Sequence, residues 1–374
     1  MQSKLKIVDG YVWDNECLLG EGAFGKVYKC QKQNKQFAVK VIKKTTLQTS
    51  QIQLETLENE IEVMKKFTKS NNILKYISHY SDDQNYYIFT EYCEGGNLRT
   101  YIQRRGGYLQ ENQSIEILNQ LINGFKDLIK NGYLHRDIKL ENCLIKQNTF
   151  ILSDFGLATK YDLKGYKLIK QQVGTPLYMS PQLLENYPYT TKGDIWSLGM
   201  LFYEMLFGKT PWNCKNLSSF LYEIKNKPLL FPLNIPIKQE TRDFLMKCLS
   251  IDEGRRMTWE EIFSHEMIQS QRKKIKLDEK SKSILFDLQK IVFFNKINIK
   301  KILFDKQKNL IFQINQAFLN FQNKQIIQFL KKIPTFFFKQ FHSKIKQFQF
   351  QIYQIFLVKI INKISIIIKI IKQN

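Results

Sequence analysis

The sequence predicts an α+β chain with a small strand-rich lobe, a larger helix-rich lobe and a basic low-complexity tail. Three observations carry this expectation. Short β-type runs broken by turns crowd residues 11–43. From about residue 115 onward, apolar residues recur at intervals of three and four. After about Arg272 the vocabulary shrinks to Lys, Ile, Phe, Gln, Asn and Leu, with no Glu after Glu279 and no Gly after Gly254. The boundaries drawn are an N-terminal extension at 1–10, a folded body at 11–268 (lobes 11–92 and 93–268) and a tail at 269–374.

In order along the chain, Tyr11 to Leu19 reads as a strand entering a glycine cluster, Lys26 to Gln31 alternates, and Gln36 to Ile42 is a compact β run. Leu54 to Phe67 reads as a helix, because Leu57, Ile61, Met64 and Phe67 fall on one face. Tyr86 to Tyr92 is a short apolar strand, ended by Gly95-Gly96. Ile115 to Ile129 is a second amphipathic helix, stopped by Asn131-Gly132. Ile195–Phe207 and Thr241–Leu249 carry helical patterns too.

Composition narrows the class. Residues 271–374 hold 22 Lys+Arg against 4 Asp+Glu, a balance of +18, which leaves +5 of the chain's +23 for residues 1–270. The basic character therefore belongs to the tail, and the body is large enough to bury a sizeable core. Six scattered cysteines, with no Cys-x-x-Cys, indicate free thiols in a reducing compartment and argue against a zinc or disulfide framework. Met1-Gln2-Ser3-Lys4-Leu5-Lys6 lacks the apolar core of a signal peptide. No uncharged apolar run reaches about 18 residues. A cytoplasmic location, peripheral to a membrane if the tail binds one, is the expectation.

The chemistry is concentrated in four segments. Gly20-Glu21-Gly22-Ala23-Phe24-Gly25-Lys26-Val27 places three glycines between strands, where backbone amides can approach phosphate oxygens without Cβ atoms in the way. Phe37-Ala38-Val39-Lys40 brings a lysine to the end of an apolar strand. His135-Arg136-Asp137-Ile138-Lys139-Leu140-Glu141-Asn142 and Asp154-Phe155-Gly156 supply carboxylates, an amide and a cation. Each segment alone is common. In this order and at this spacing they resemble the eukaryotic protein kinases, over roughly residues 11–268.

That resemblance implies ATP and Mg²⁺ as cofactors and a protein Ser/Thr hydroxyl as acceptor. Gly20, Glu21, Gly22, Ala23, Phe24 and Gly25 would form the phosphate cradle; Val27 and Ala38 would sandwich the adenine, with Leu144 among the nucleotide contacts. Lys40 would meet the α- and β-phosphates and pair with a carboxylate on the next helix: Glu60 by alignment, with Glu58 and Glu62 as competitors. Asp137 would be the base, Lys139 would neutralise the transferring group, and Asn142 and Asp154 would hold Mg²⁺. Thr90-Glu91-Tyr92-Cys93 matches the gatekeeper and hinge, with Glu91 and Cys93 offering backbone groups to the adenine edge. Lys139 and Gly174-Thr175-Pro176 match the Ser/Thr-directed branch, and Asp194 matches a residue that anchors the catalytic loop. The autophagy-initiating and calcium/calmodulin-dependent types are among the similar branches. The rival implied by the same fold is a pseudokinase, a nucleotide-gated scaffold.

Two departures stand out. Ser180-Pro181-Gln182 replaces the family's Ala-Pro-Glu, so its usual Arg partner, here Arg256, meets an amide. The usual activation-loop phosphosite falls at Gln171, and no Ser or Thr lies between Lys160 and Val173; Tyr161 and Tyr166 remain as acceptors there. The loop is expected to order without that phosphate. In the tail, Ile355 to Ile371 mixes Phe, Leu and Ile with Lys359, Lys363 and Lys369, a pattern suited to an anionic membrane surface. Nucleic acid is the less favoured partner. A tail without any lipid role, disordered or helical only with a partner, is the plainer reading. An AT-rich stretch carried into the reading frame is the other, since A and T alone encode Lys, Ile, Phe, Asn and Leu, and Gln as well in a code that reads TAA and TAG as glutamine. Oligomeric state is not legible.

Overall fold

The structure, a computed structural model, describes residues 5–22, 25–47, 51–161, 173–188 and 190–270. Ala23, Phe24, Tyr166, Gln171 and the tail expectations lie outside the described residues.

The small lobe is a seven-stranded antiparallel sheet. Its strands are β1 (Lys6–Val8), β2 (Tyr11–Trp13), β3 (Leu18–Gly22), β4 (Gly25–Lys32), β5 (Lys35–Lys43), β6 (Tyr76–Ser81) and β7 (Asn85–Glu91). The order is β1-β2-β4-β5-β7-β6, with β3 paired to β4. Residues 6–8 of the N-terminal extension thus supply an edge strand. The run expected from Tyr11 to Leu19 is interrupted at Asp14, whose carboxylate accepts from the backbone N–H of Glu16 and Cys17 and caps a 3-10 turn. A short acidic side chain competes with the sheet ladder for those amides.

Alternation divides the sheet faces. Val39 joins Tyr11, Trp13, Tyr87 and Phe89 in an outer aromatic cluster, where Tyr11 stacks on Phe89 at 3.8 Å between ring centroids. Ala38, Lys40 and Ile42 face the other way, as do Val27, Ile88 and Thr90, their cross-strand partners or diagonal neighbours. The register thus gathers these residues on one side of the sheet. Against that side lies α2 (Gln51–Lys66), after the short α1 (Lys44–Leu47). Val63 and Met64, with Leu57 and the following Phe67, bury α2's inner face. Each such side chain contributes about 1.5–3 kcal/mol before the entropy of ordering.

The large lobe comprises α3 (Leu98–Gln103), α4 (Glu111–Lys130), β8 (Tyr133–Leu134), β9 (Cys143–Lys146), β10 (Thr149–Leu152) and β11 (Thr159–Lys160). It continues with α5 (Pro181–Leu184), α6 (Lys192–Phe207), α7 (Leu217–Asn226), α8 (Gln239–Cys248) and α9 (Trp259–Ser264). Helix α4 begins four residues before the apolar pattern and ends where expected, Asn131 capping it and Gly132 taking a φ of +72°. Helix α6 is buried nearly all round, including the acid Asp194 near its start. Between these helices and the sheet, the β9–β10 hairpin and the loops before and after it carry the candidate site. All six cysteines are free thiols. Among the described residues no helix is long and apolar enough to cross a membrane.

Candidate active site

The glycine hairpin pairs Gly20 with Val27, Glu21 with Lys26 and Gly22 with Gly25. Its glycines serve different needs. A Cβ on Gly25 would lie 2.3 Å from the carbonyl oxygen of Val41, so strand packing forbids it. At Gly20 and Gly22 a Cβ would meet nothing within 4 Å, which leaves open space at these positions of the hairpin.

Lys40 Nζ reaches both carboxylate oxygens of Glu60, at 2.9 and 2.6 Å, and stands 3.7 Å from Asp154 Oδ1. Burial disfavours the Lys40 charge, but Glu60 and Asp154 outweigh it and hold the ammonium above its usual pKa. The geometry separates the three acids on α2. Glu58 is exposed, and Glu62 accepts from Tyr133 and from Lys160 instead.

The loop after β8 closes a small polar triangle with Thr175. Lys139 Nζ donates to Asp137 Oδ2 at 2.7 Å and to Thr175 Oγ1 at 2.9 Å, while Thr175 donates to Asp137 Oδ1 at 2.7 Å. Burial pushes the Asp137 carboxyl up, yet the hydrogen bonds from Lys139 and Thr175, with the Lys139 charge, hold it below the usual carboxylate range. Asn142 Nδ2 donates to the Asp137 carbonyl and to Oδ2, both at 2.9 Å, which leaves its Oδ1 as a ligand. Gly174, at φ +114°, is needed because a Cβ would stand 2.5 Å from the Arg136 carbonyl oxygen.

Behind the triangle, Asp194 accepts from the backbone N–H of His135 and of Arg136, at 2.7 and 2.9 Å. Burial raises the Asp194 pKa and these two amides oppose the rise. They hold the loop while Arg136 and Asp154 occupy left-handed backbone at φ +66° and +64°. The His135 ring lies 5.1 Å from the ring of the fully buried Phe155. Asn59 on α2 donates to the carbonyls of Phe155 (3.1 Å) and Ala158 (2.5 Å), which ties the helix to the Asp154 segment. Arg136 Nε donates to the Leu157 carbonyl.

The residues expected to line the adenine gather as the register requires. Val27 stands opposite Lys40, Ala38 opposite Thr90, and Leu144 on β9 bridges to Asn97 at the start of α3. The Glu91 carboxylate is engaged by the Lys75 N–H and by Lys146, and its own N–H donates to the Lys75 carbonyl, so its backbone carbonyl is the group left to offer a ligand. Burial, with Glu91 adding, pushes the Cys93 thiol up to about 12.

Asn142 and Asp154 offer two oxygen ligands and one negative charge. That suits Mg²⁺, which takes one or two protein ligands and completes its shell from phosphates and water. Among the described residues no group of three or more His, Cys, Asp or Glu could hold a metal alone.

Gln182 meets Arg256: its Oε1 accepts from the guanidinium at 2.8 Å, and its Nε2 donates to the Ile251 carbonyl at 2.7 Å. Tyr161 is less available than its sequence position implied, because its hydroxyl donates to the Ile129 carbonyl and is half-buried. Sequence reasoning missed Asn59 and a group formed by Arg99, Glu141, Tyr178 and Glu204. Arg99 Nε donates to Glu141 at 2.8 Å, and its other nitrogens reach Glu204 and the Tyr178 hydroxyl. Only local periodicity was available to find Arg99, and it marks the residue as an ordinary helix surface position.

Residues 13–268 match the family described as protein kinase domain. The chain is 33% identical over 273 residues to serine/threonine-protein kinase atg1 of Dictyostelium discoideum, covering 71% of this chain and 40% of that protein. It is 30% identical over 265 residues to calcium/calmodulin-dependent protein kinase type 1 of Caenorhabditis elegans, covering 68% and 74%. To serine/threonine-protein kinase 33 of Bos taurus it is 28% identical over 266 residues, covering 67% and 54%.

Proposed function

The chain belongs to the protein kinase family, serine/threonine type, and from that premise we propose that it transfers the γ-phosphoryl group of ATP to a Ser or Thr hydroxyl of a protein substrate. One observation carries the proposal: Asp137, Lys139 and Thr175 form a closed triangle around an ionised carboxylate.

In this reading Asp137 accepts the hydrogen bond of the incoming hydroxyl and orients its oxygen. Lys139 stands beside it as a fixed positive charge for the phosphoryl group in transit. Lys40, kept charged and directed by Glu60, holds the nucleotide's phosphates. Asn142 and Asp154 would hold Mg²⁺, whose chemistry is to neutralise phosphate charge. Positioning supplies most of the rate, since phosphoryl transfer asks little covalent help of the protein. Thr175 reaches both Asp137 and Lys139, which supports a Ser/Thr acceptor. A scaffold that binds nucleotide without chemistry is the weaker reading, because Lys40, Asp137 and Asp154 are all present and Lys40 is paired with Glu60.

The test is Mg²⁺-dependent transfer of labelled γ-phosphate to a Ser/Thr peptide library, with wild type beside Asp137→Asn. Loss of about 10²–10⁴ in rate, in a variant that still folds, is expected. No transfer by a folded wild type would overturn the proposal.

A further inference from the structure

A charged cluster outside the phosphate site is built on the turns that hold Asp137. Its members come from four elements: Arg99 on α3, Glu141 in the 3-10 turn Leu140–Asn142, Tyr178 in the 3-10 turn Pro176–Tyr178, and Glu204 on α6. Two of these turns converge on Asp137. Glu141 precedes Asn142, which holds Asp137, and Tyr178 follows Thr175, which touches it. Three residues of 3-10 turn at a rise of about 2 Å put Tyr178 roughly 6 Å along from Thr175. An extended peptide advances about 3.3–3.6 Å per residue. The cluster therefore lies within reach of side chains two or three residues from the acceptor.

Its charge is unusual for a binding surface. Two carboxylates stand there, and one guanidinium of the same chain spans both. The Arg99 fork engages Glu141 through Nε, Glu204 through one terminal nitrogen and the Tyr178 oxygen through the other; Tyr178 in turn donates to Glu204. The Arg99 side chain is 26% exposed and Glu141 43%, so the cluster opens to solvent and is not sealed in the core. An incoming Arg or Lys would meet Glu204 and one oxygen of Glu141 already engaged by Arg99.

We infer that Arg99 is a specificity-determining residue: it occupies, from within the chain, an acidic subsite beside the acceptor, and so denies that subsite to a basic residue of the substrate. The inference rests on the kinase reading of the preceding subsection. It assigns Arg99 no part in the chemistry. A merely bracing role, joining α3 to α6, would make its removal hurt all substrates alike. A masking role makes removal favour one class.

The experiment uses the full chain as wild type, Arg99→Met and the double variant Arg99→Met/Glu141→Gln. Each is given a Ser-centred degenerate peptide pool in which Arg or norleucine is fixed at one flanking position at a time. Two readouts are taken: kcat/KM, and binding of the fluorescein-labelled pools by anisotropy, which needs no turnover. Wild type is expected to show an Arg:norleucine ratio near one. Arg99→Met gains about tenfold for Arg at a single position two or three residues from the acceptor, read in KM, as one charge-assisted hydrogen-bonded pair allows. Glu141→Gln in addition takes back most of the gain. A wild type that already prefers Arg there, or an Arg99→Met ratio that stays near one, overturns the inference. If no protein turns over any peptide, the kinase reading fails and the anisotropy ratios still decide the subsite. Should Arg99→Met fail to fold, Arg99→Gln is read by the same ratios, since its amide can still donate to Glu204.

Discussion

Replacing Gln182 by Glu should stabilise the protein. Arg256 is 1% exposed. Its guanidinium is satisfied by Gln182 Oε1 and by the carbonyls of Ser250 (3.1 Å) and Lys192 (3.1 Å), and lies 5.0 Å from the Trp196 ring. Among the described residues no carboxylate lies within ion-pair distance of it. Burial lowers its pKa from 12.5 to about 10. At about 1.4 kcal/mol per pH unit, that is a cost of about 3 kcal/mol for keeping the charge inside. A carboxylate at 182 recovers part of it. The change also removes the Nε2 donation to Ile251, worth about 1 kcal/mol. The net gain is about 1–2 kcal/mol, or about 2–8 °C in melting temperature for a body of this size. Gln182→Ala, which leaves the guanidinium short of an acceptor, should lose about 1–3 kcal/mol. Differential scanning calorimetry of the three proteins at neutral pH checks this. A Gln182→Glu midpoint equal to or below wild type would refute the reasoning that the buried guanidinium lacks a carboxylate partner it could use.

The remaining predictions concern the cleft. The Asp137 pKa is depressed, so the base stays ionised as pH falls. Whatever stability its ionised form adds is present above its unfolded value and lost only as pH drops through the folded one. No inflection of kcat/KM that depends on Asp137 should therefore appear at or above the ordinary carboxylate range; an inflection at 6–7 that disappears in Asp137→Asn would contradict this. Thr90, 9% exposed on the cleft face of β7, should act as the gate behind the adenine. Thr90→Gly is expected to tighten inhibitors with a bulky group directed there by at least about tenfold, as removal of a steric clash of 1–3 kcal/mol allows; equal inhibition of both proteins would sink the assignment. Asn59→Leu removes two donations to the Asp154 segment and should lower kcat about tenfold while KM for peptide stays within twofold, given about 1.5 kcal/mol for the lost bonds; an unchanged kcat would count against the tie.

Much of the site was legible because phosphoryl transfer demands fixed residue types at short, fixed separations. Asp137, Lys139 and Asn142 sit on one loop, so their spacing alone brings them together. Lys40 and Glu60 were legible for a different reason: their places in the family pattern matched, while the helical pattern alone left Glu58 and Glu62 open beside Glu60. Glu62 could be set aside only once Tyr133 and Lys160 were seen to engage it, contacts 71 and 98 residues away. Arg99 was invisible for the same reason, with partners 42 and 105 residues distant. Helix ends were misjudged where polar residues, not apolar ones, set them, as at Glu111 and Lys192. The break at Asp14 was missed because a side chain there replaces a strand partner.

The amide of Asn59 has a pharmacological corollary. It fastens α2 to two carbonyls of the Phe155 turn, so a displacement of that turn away from the helix must break those bonds. Compounds that require the Phe155 ring to leave its seat must first unpick that latch. They should bind this enzyme slowly, and Asn59→Leu should speed their arrival more than it tightens their hold.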